Sequence, residues 1–148
     1  MVTLPGLDGS TDASIERTPD GRRIVVTRAV DAPADTCWDL LVDTERWPDW
    51  GPSVSAVDCE ERYVTAGTTG RVQVAGGPWL PFEVTDCRDY RWTWRVARIP
   101  ATGHFVRDGS PPRIGFEVPI AAAGYVPVCV NALQDLAALA GRSASESQ

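Results

Sequence analysis

The chain has 148 residues, an apolar fraction of 43% and a net charge of −6. That length fits one domain, which buries roughly 68–70% of its unfolded surface and so has room for a core and a modest internal pocket. The acidic balance argues against nucleic acid, whose recognition needs clustered basic residues, and against anionic membrane surfaces. All basic residues are arginine, so lysine Schiff-base chemistry and a phosphate-loop lysine are excluded.

Residues 1–13 are polar and rich in Gly, Pro and Asp, and are expected to form a loose tail without the features of a secretory signal. No run of about 18 apolar residues exists, so membrane insertion is not expected and the cytoplasm is the default location. Pro19-Asp20-Gly21 is a turn signal. Residues 23–30 (RIVVTRAV) read as a first long strand. Pro33 then opens a helix with Asp35 in its first turn and Cys37, Leu40 and Leu41 at helical spacing. Asp43 or Thr44 can cap a second, very short helix through Trp47, which Pro48, Gly51 and Pro52 break.

From residue 53 to 118 the pattern changes to period two. Val72 and Val74 alternate with Arg71 and Gln73; Leu80, Phe82 and Val84 share one face. Trp92, Trp94 and Val96 share another, as do His104 and Val106, then Ile114, Phe116 and Val118. Short strands separated by turns indicate a meandering antiparallel sheet. The end is helical again: Val126, Cys129, Leu133, Leu136 and Ala140 form one apolar stripe, and Gly141 is a stop signal. Pro119 could open this helix, with Pro127 as a kink, or Pro127 could itself lie at its start. The expected organisation is a tail over 1–13, one domain over 14–142 and a short tail over 143–148. The order is strand, two short helices, about six strands and a long helix.

The segment Val30-Asp31-Ala32-Pro33 through Trp38-Asp39-Leu40-Leu41 resembles the opening "V-x-A-P-x-x-x-V-W-x-L-L" of the START-like superfamily, in its polyketide cyclase/dehydrase and lipid-transport (SRPBCC) branch. Asp43-x-x-x-Trp47-Pro48-x-Trp50 is similar to that family's second helix, and Trp92-Thr93-Trp94 with Thr102-Gly103-His104 to its strand pair. The similarity spans about residues 22–141. It implies an α+β helix-grip fold: a curved antiparallel sheet of about seven strands wrapped on a long C-terminal helix, with two short helices after the first strand. It also implies a cavity for hydrophobic ligands, but no particular reaction. Gly124 and Pro127 depart from the usual uninterrupted terminal helix.

Trp92, Trp94, Phe82, Val106 and Phe116 are the expected cavity lining, Trp47 and Trp50 its roof, and His104 the group that orients a ligand. Trp38 is equally well a core residue, and Trp79 an exposed one. His104, the single histidine, is the one candidate for acid–base catalysis. Glu83 and Glu117 read as solvent-facing charges, and Arg91 and Arg95 as outer-face residues. Cys37, Cys59, Cys87 and Cys129 lack metal-ligand spacing and read as buried thiols, so neither a metal nor another cofactor is expected. The expected partner is a small hydrophobic molecule, bound and carried in the cavity. A cyclase/dehydratase-like enzyme and a co-chaperone-like regulator of other proteins are the alternatives. The oligomeric state stays open, a dimer included.

Overall fold

In the computed structural model, residues 11–146 except Pro52 are described. Eight strands form one antiparallel sheet: β1 (Thr11–Thr18), β2 (Gly21–Ala29), β3 (Val54–Asp58), β4 (Thr69–Val74), β5 (Trp79–Arg88), β6 (Arg91–Val96), β7 (Ile99–Arg107) and β8 (Arg113–Pro119). Their spatial order is β1-β2-β8-β7-β6-β5-β4-β3. Between β2 and β3 stand α1 (Ala34–Val42), a single 3-10 turn and α2 (Trp47–Trp50); after β8 a 3-10 segment leads into α3 (Val126–Glu146).

The long helix packs against β2 and β8, and the short helices α1 and α2 pack against it in turn. Leu133, Leu136 and Ala140 are fully buried, while Asn131, Gln134 and Asp135 are exposed. This amphipathic division holds the helix in the hollow of the sheet, as the helix-grip arrangement requires. The 3-10 segment and α3 together are long and apolar enough by composition to cross a membrane. About a third of that apolar window is buried, Leu133 and Leu136 completely. Curvature of the sheet is built partly at two irregularities, one between Val84 and Asp86 and one between Thr93 and Arg95, because a bulge bends and further twists the strand that carries it.

Several expectations change. β1 is an additional edge strand paired along its whole length with β2. It starts inside the expected tail, where Thr11 and Ala13 are buried. The remaining tail residues 1–10, Pro52 and residues 147–148 lie outside the described residues. Gly141 does not stop α3, which continues to Glu146. Pro127 sits in the first turn of α3, where its missing N–H would have no helical partner in any case. Pro33 is the N-cap of α1 and not its first residue.

The outer face of the sheet is also partly dry. Glu117 is 4% exposed and holds a bidentate ion pair with Arg91, at 2.8 Å and 2.7 Å, so it is not a solvent-facing charge. Phe105 lies over Gly115, where a Cβ would come within 2.2 Å of the ring, and Arg107 stacks above Phe105. Among the cysteines, Cys37 and Cys129 are buried, whereas Cys59 and Cys87 are only half-buried, and all four are free thiols.

Candidate functional site

The site grows from the end of α1. A helix leaves its last carbonyls without intrahelical donors, and here each finds one. The helical ladder ends with Asp43 N–H donating to Asp39 O; of the three α1 carbonyls beyond it, Val42 O accepts from Val64 N–H at 3.0 Å. Indoles serve the other two: Trp50 Nε1 donates to Leu40 O at 3.1 Å, and Trp47 and Trp92 both donate to Leu41 O, at 2.9 Å and 3.1 Å. Three of the six tryptophans thus tie α1, α2 and β6 together. Their rings stack as a consequence: Trp47 on Trp92 at 5.2 Å between centroids, and Trp92 on His104 at 3.9 Å.

His104 is enclosed by rings on several sides, with Trp50, Trp94 and Phe116 presenting edges to it. Burial pushes its pKa down to about 3, against a weaker raising effect of the Trp92 carbonyl, and Arg91 and Arg23 add to the lowering. The imidazole is therefore neutral at physiological pH. Its Nδ1 lies 3.3 Å from Trp92 O and its Nε2 lies 2.9 Å from Thr102 Oγ1. Thr102 Oγ1 in turn accepts from Trp94 Nε1 at 3.3 Å. Both ring nitrogens are engaged, and the ring has no strong tendency to take a proton. In this arrangement burial disfavours protonation of the ring and both nitrogens have partners within hydrogen-bond reach.

Two recesses meet beside this cluster. The inner one is about 40 Å³ and is bordered by Trp47, Trp50, Trp92, Trp94, His104 and Phe116, with Cys129 and Ala132 of α3 opposite. The outer one is about 310 Å³ and is mostly aliphatic, walled by Val72, Val74, Val96, Val118 and Ala122. Ser53, Val54, Trp94, Thr102 and Tyr125 border both recesses. Tyr125, the last residue of the 3-10 segment before α3, exchanges a hydrogen bond with Ser53 beside β3, which joins the helix side of the cavity to the sheet edge.

Of the residues expected to form the site, Trp47, Trp50, Trp92, Trp94, His104 and Phe116 come together around the inner recess. Phe82 and Val106 border neither recess and belong to the packed core. Phe82 is enclosed by Trp47 and Trp94, so its ring is used up in holding those indoles. The roomier recess has only Trp94 from the expected set. Thr102, Ser53 and Tyr125 were not anticipated; the alternation that puts His104 inward places Thr102 inward as well, two residues earlier. The Cys129 thiol is pushed up to about 12 by burial, so it is protonated at neutral pH and a poor nucleophile. Among the described residues, no group of three or more His, Cys, Asp or Glu is placed to hold a metal.

The fold has many relatives of known structure. The KanY protein superposes with a TM-score of 0.63 at 14% identity, over 79% of this chain and 95% of that one. The protein XoxI from Bacillus cereus gives 0.61 at 12% identity, over 78% and 93%. The di-domain ARO/CYC StfQ from the steffimycin biosynthetic pathway gives 0.56 at 13% identity, covering 82% of this chain and 51% of StfQ. Such identities establish shared architecture only. No curated protein matches the chain in sequence at a significant level. Residues 21–141, however, match the profile described as polyketide cyclase / dehydrase and lipid transport, a span running from the first residue of β2 into the last turns of α3. This chain is therefore a member of the polyketide cyclase/dehydrase and lipid-transport family, within the START-like superfamily.

Proposed function

We propose that this chain binds a small hydrophobic or aromatic molecule in the double recess and releases it unchanged. The observation that carries this reading is the outer recess: about 310 Å³ of mostly aliphatic wall with only the hydroxyls of Ser53, Thr102 and Tyr125 as polar side-chain groups among the described residues lining it. Ligand sites commonly combine apolar walls with a few placed polar groups. The inner recess adds an aromatic end. A water needs about 10–15 Å³ measured this way, so the inner space takes only a substituent or a few waters, and the body of a ligand belongs in the outer recess.

A cyclase/dehydratase-like enzyme acting in the same cavity is the second reading. The family description and the likeness to StfQ favour it. The state of His104 weighs against it, because a neutral ring with both nitrogens hydrogen-bonded offers no ready acid or base. A regulator of other proteins with a vestigial cavity is disfavoured by the volume of the outer recess.

Native mass spectrometry of protein purified from its own source, followed by solvent extraction, tests the proposal. A carrier yields one adduct that extraction removes, and adding the extract back to the stripped protein quenches the fluorescence of the tryptophans around the cavity. The recovered molecule is unaltered after prolonged incubation. Conversion of that molecule by the stripped protein supports the enzyme instead. Absence of any adduct, together with no fluorescence response to hydrophobic probes, overturns both.

A further inference from the structure

We infer that the cavity selects neutral ligands that carry a hydrogen-bond donor, and that Thr102 Oγ1 is the acceptor that recognises it. The inference rests on the carrier reading above and adds a chemical class to it.

A backbone carbonyl can only accept, so the contact between His104 and Trp92 O places a hydrogen on Nδ1. A neutral imidazole has one N–H, so Nε2 is bare and accepts. Thr102 must then give its single hydroxyl hydrogen to Nε2, across 2.9 Å. What Thr102 Oγ1 has left are lone pairs. Trp94 Nε1 takes one from 3.3 Å, near the long end of the hydrogen-bond range, and one remains. Thr102 borders both recesses, so a molecule seated in either lies within reach of this residue.

The neighbouring polar groups do not offset this bias. The indole N–H groups of Trp47, Trp50 and Trp92 are committed to carbonyls of α1. Ser53 and Tyr125 share one hydrogen bond, which leaves a single hydroxyl hydrogen on that pair, and Tyr125 is 37% exposed, so water competes for it. No Asp, Glu or Arg is among the described residues bordering either recess. A charged ligand would therefore lose its hydration without an opposite charge in return. A ligand carbonyl would meet Thr102 lone pair to lone pair. An O–H or N–H at the buried end of an otherwise apolar molecule fits.

The test compares probes of one shape by calorimetric titration of the full chain: 2-naphthol as donor, 2-methylnaphthalene as neither, and a quinoline of the same outline, 2-methylquinoline, as acceptor. The expected result is that 2-naphthol binds about twofold to tenfold more tightly than 2-methylnaphthalene, the range for one net hydrogen bond. The methylquinoline gains nothing over the hydrocarbon. Thr102→Val brings 2-naphthol down to the hydrocarbon's affinity, and Thr102→Ser, which keeps the hydroxyl, preserves the difference. Circular dichroism confirms that each variant is folded, and the wild-type comparison needs no variant. Equal affinities in the wild type, a preference for the methylquinoline, or discrimination that survives Thr102→Val overturns the inference while leaving the carrier reading intact. Failure of all three probes to bind overturns the carrier reading and this inference with it.

Discussion

Acidification should destabilise this protein through His104. In the unfolded chain a histidine titrates near 6.5; in the fold, burial among aromatic rings pushes it down to about 3. As pH falls below 6.5 the unfolded chain takes up a proton that the folded one refuses, so the unfolded state gains. The stabilising effect of keeping the ring neutral is complete above pH 6.5 and is lost progressively toward pH 3. One pKa unit corresponds to about 1.4 kcal/mol, so moving from pH 7 to pH 5 should remove about 2 kcal/mol. Urea unfolding at both pH values measures this directly. His104→Asn is the control: it is expected to be less stable throughout, because the contact with Thr102 changes, but to lose the histidine part of the pH effect. The raised Asp39 carboxyl, shifted by burial and by Asp35 and Asp43, acts in the opposite direction at lower pH and is common to both proteins. An equal loss in wild type and His104→Asn between pH 7 and pH 5 would refute the reasoning.

Three further outcomes test the packing. Gly115→Ala puts a Cβ within 2.2 Å of the Phe105 ring and should cost about 1–3 kcal/mol; adding Phe105→Leu should restore part of it, and a single variant as stable as wild type contradicts the close approach. Arg91→Met leaves Glu117, with a side chain only 6% exposed, without its ion-pair partner, for a loss of about 3–5 kcal/mol in urea unfolding. Replacing both as Arg91→Met with Glu117→Leu should return close to wild-type stability, as apolar replacements of buried pairs often do. Leu136→Ala removes a fully buried side chain at the interface of α3 and the sheet and should cost about 2–5 kcal/mol by thermal or urea unfolding.

The elements that sequence reading found are those whose pattern and packing agree. The stripe from Cys129 to Ala140 and the inward set of Trp92, Trp94, His104 and Phe116 follow directly from helical and strand periodicity, because one face of each element is buried. What the pattern could not show is the fate of individual faces. β1 reads as polar, since a strand at the sheet edge buries only residues such as Thr11 and Ala13. The turns Asp89-Tyr90 and Ala97-Arg98 adopt positive φ without glycine, so their sequences lack the usual hairpin mark. Tyr90 is held in that conformation by the Trp38 ring and by a hydrogen bond to Asp35 on α1, neither of which is local in sequence.

The same limit separates the residues that build the cavity from the one proposed to read its contents. Aromatic residues attract notice in a sequence because they are large, yet here Trp47, Trp50 and Trp92 are occupied in closing the end of α1, and Phe82 in bracing them. Their size makes the wall rigid and dry. The direction of each remaining hydrogen bond then depends on where a single proton of His104 resides. That proton is placed by a backbone carbonyl on the neighbouring strand, through the register that sets Trp92 opposite His104. A threonine hydroxyl is ambivalent in isolation, able to give or accept. Only the register of β6 against β7, and the neutrality that burial imposes on the ring beside it, turn Thr102 into an acceptor, so selectivity in this cavity is a property of strand pairing more than of any residue type lining it.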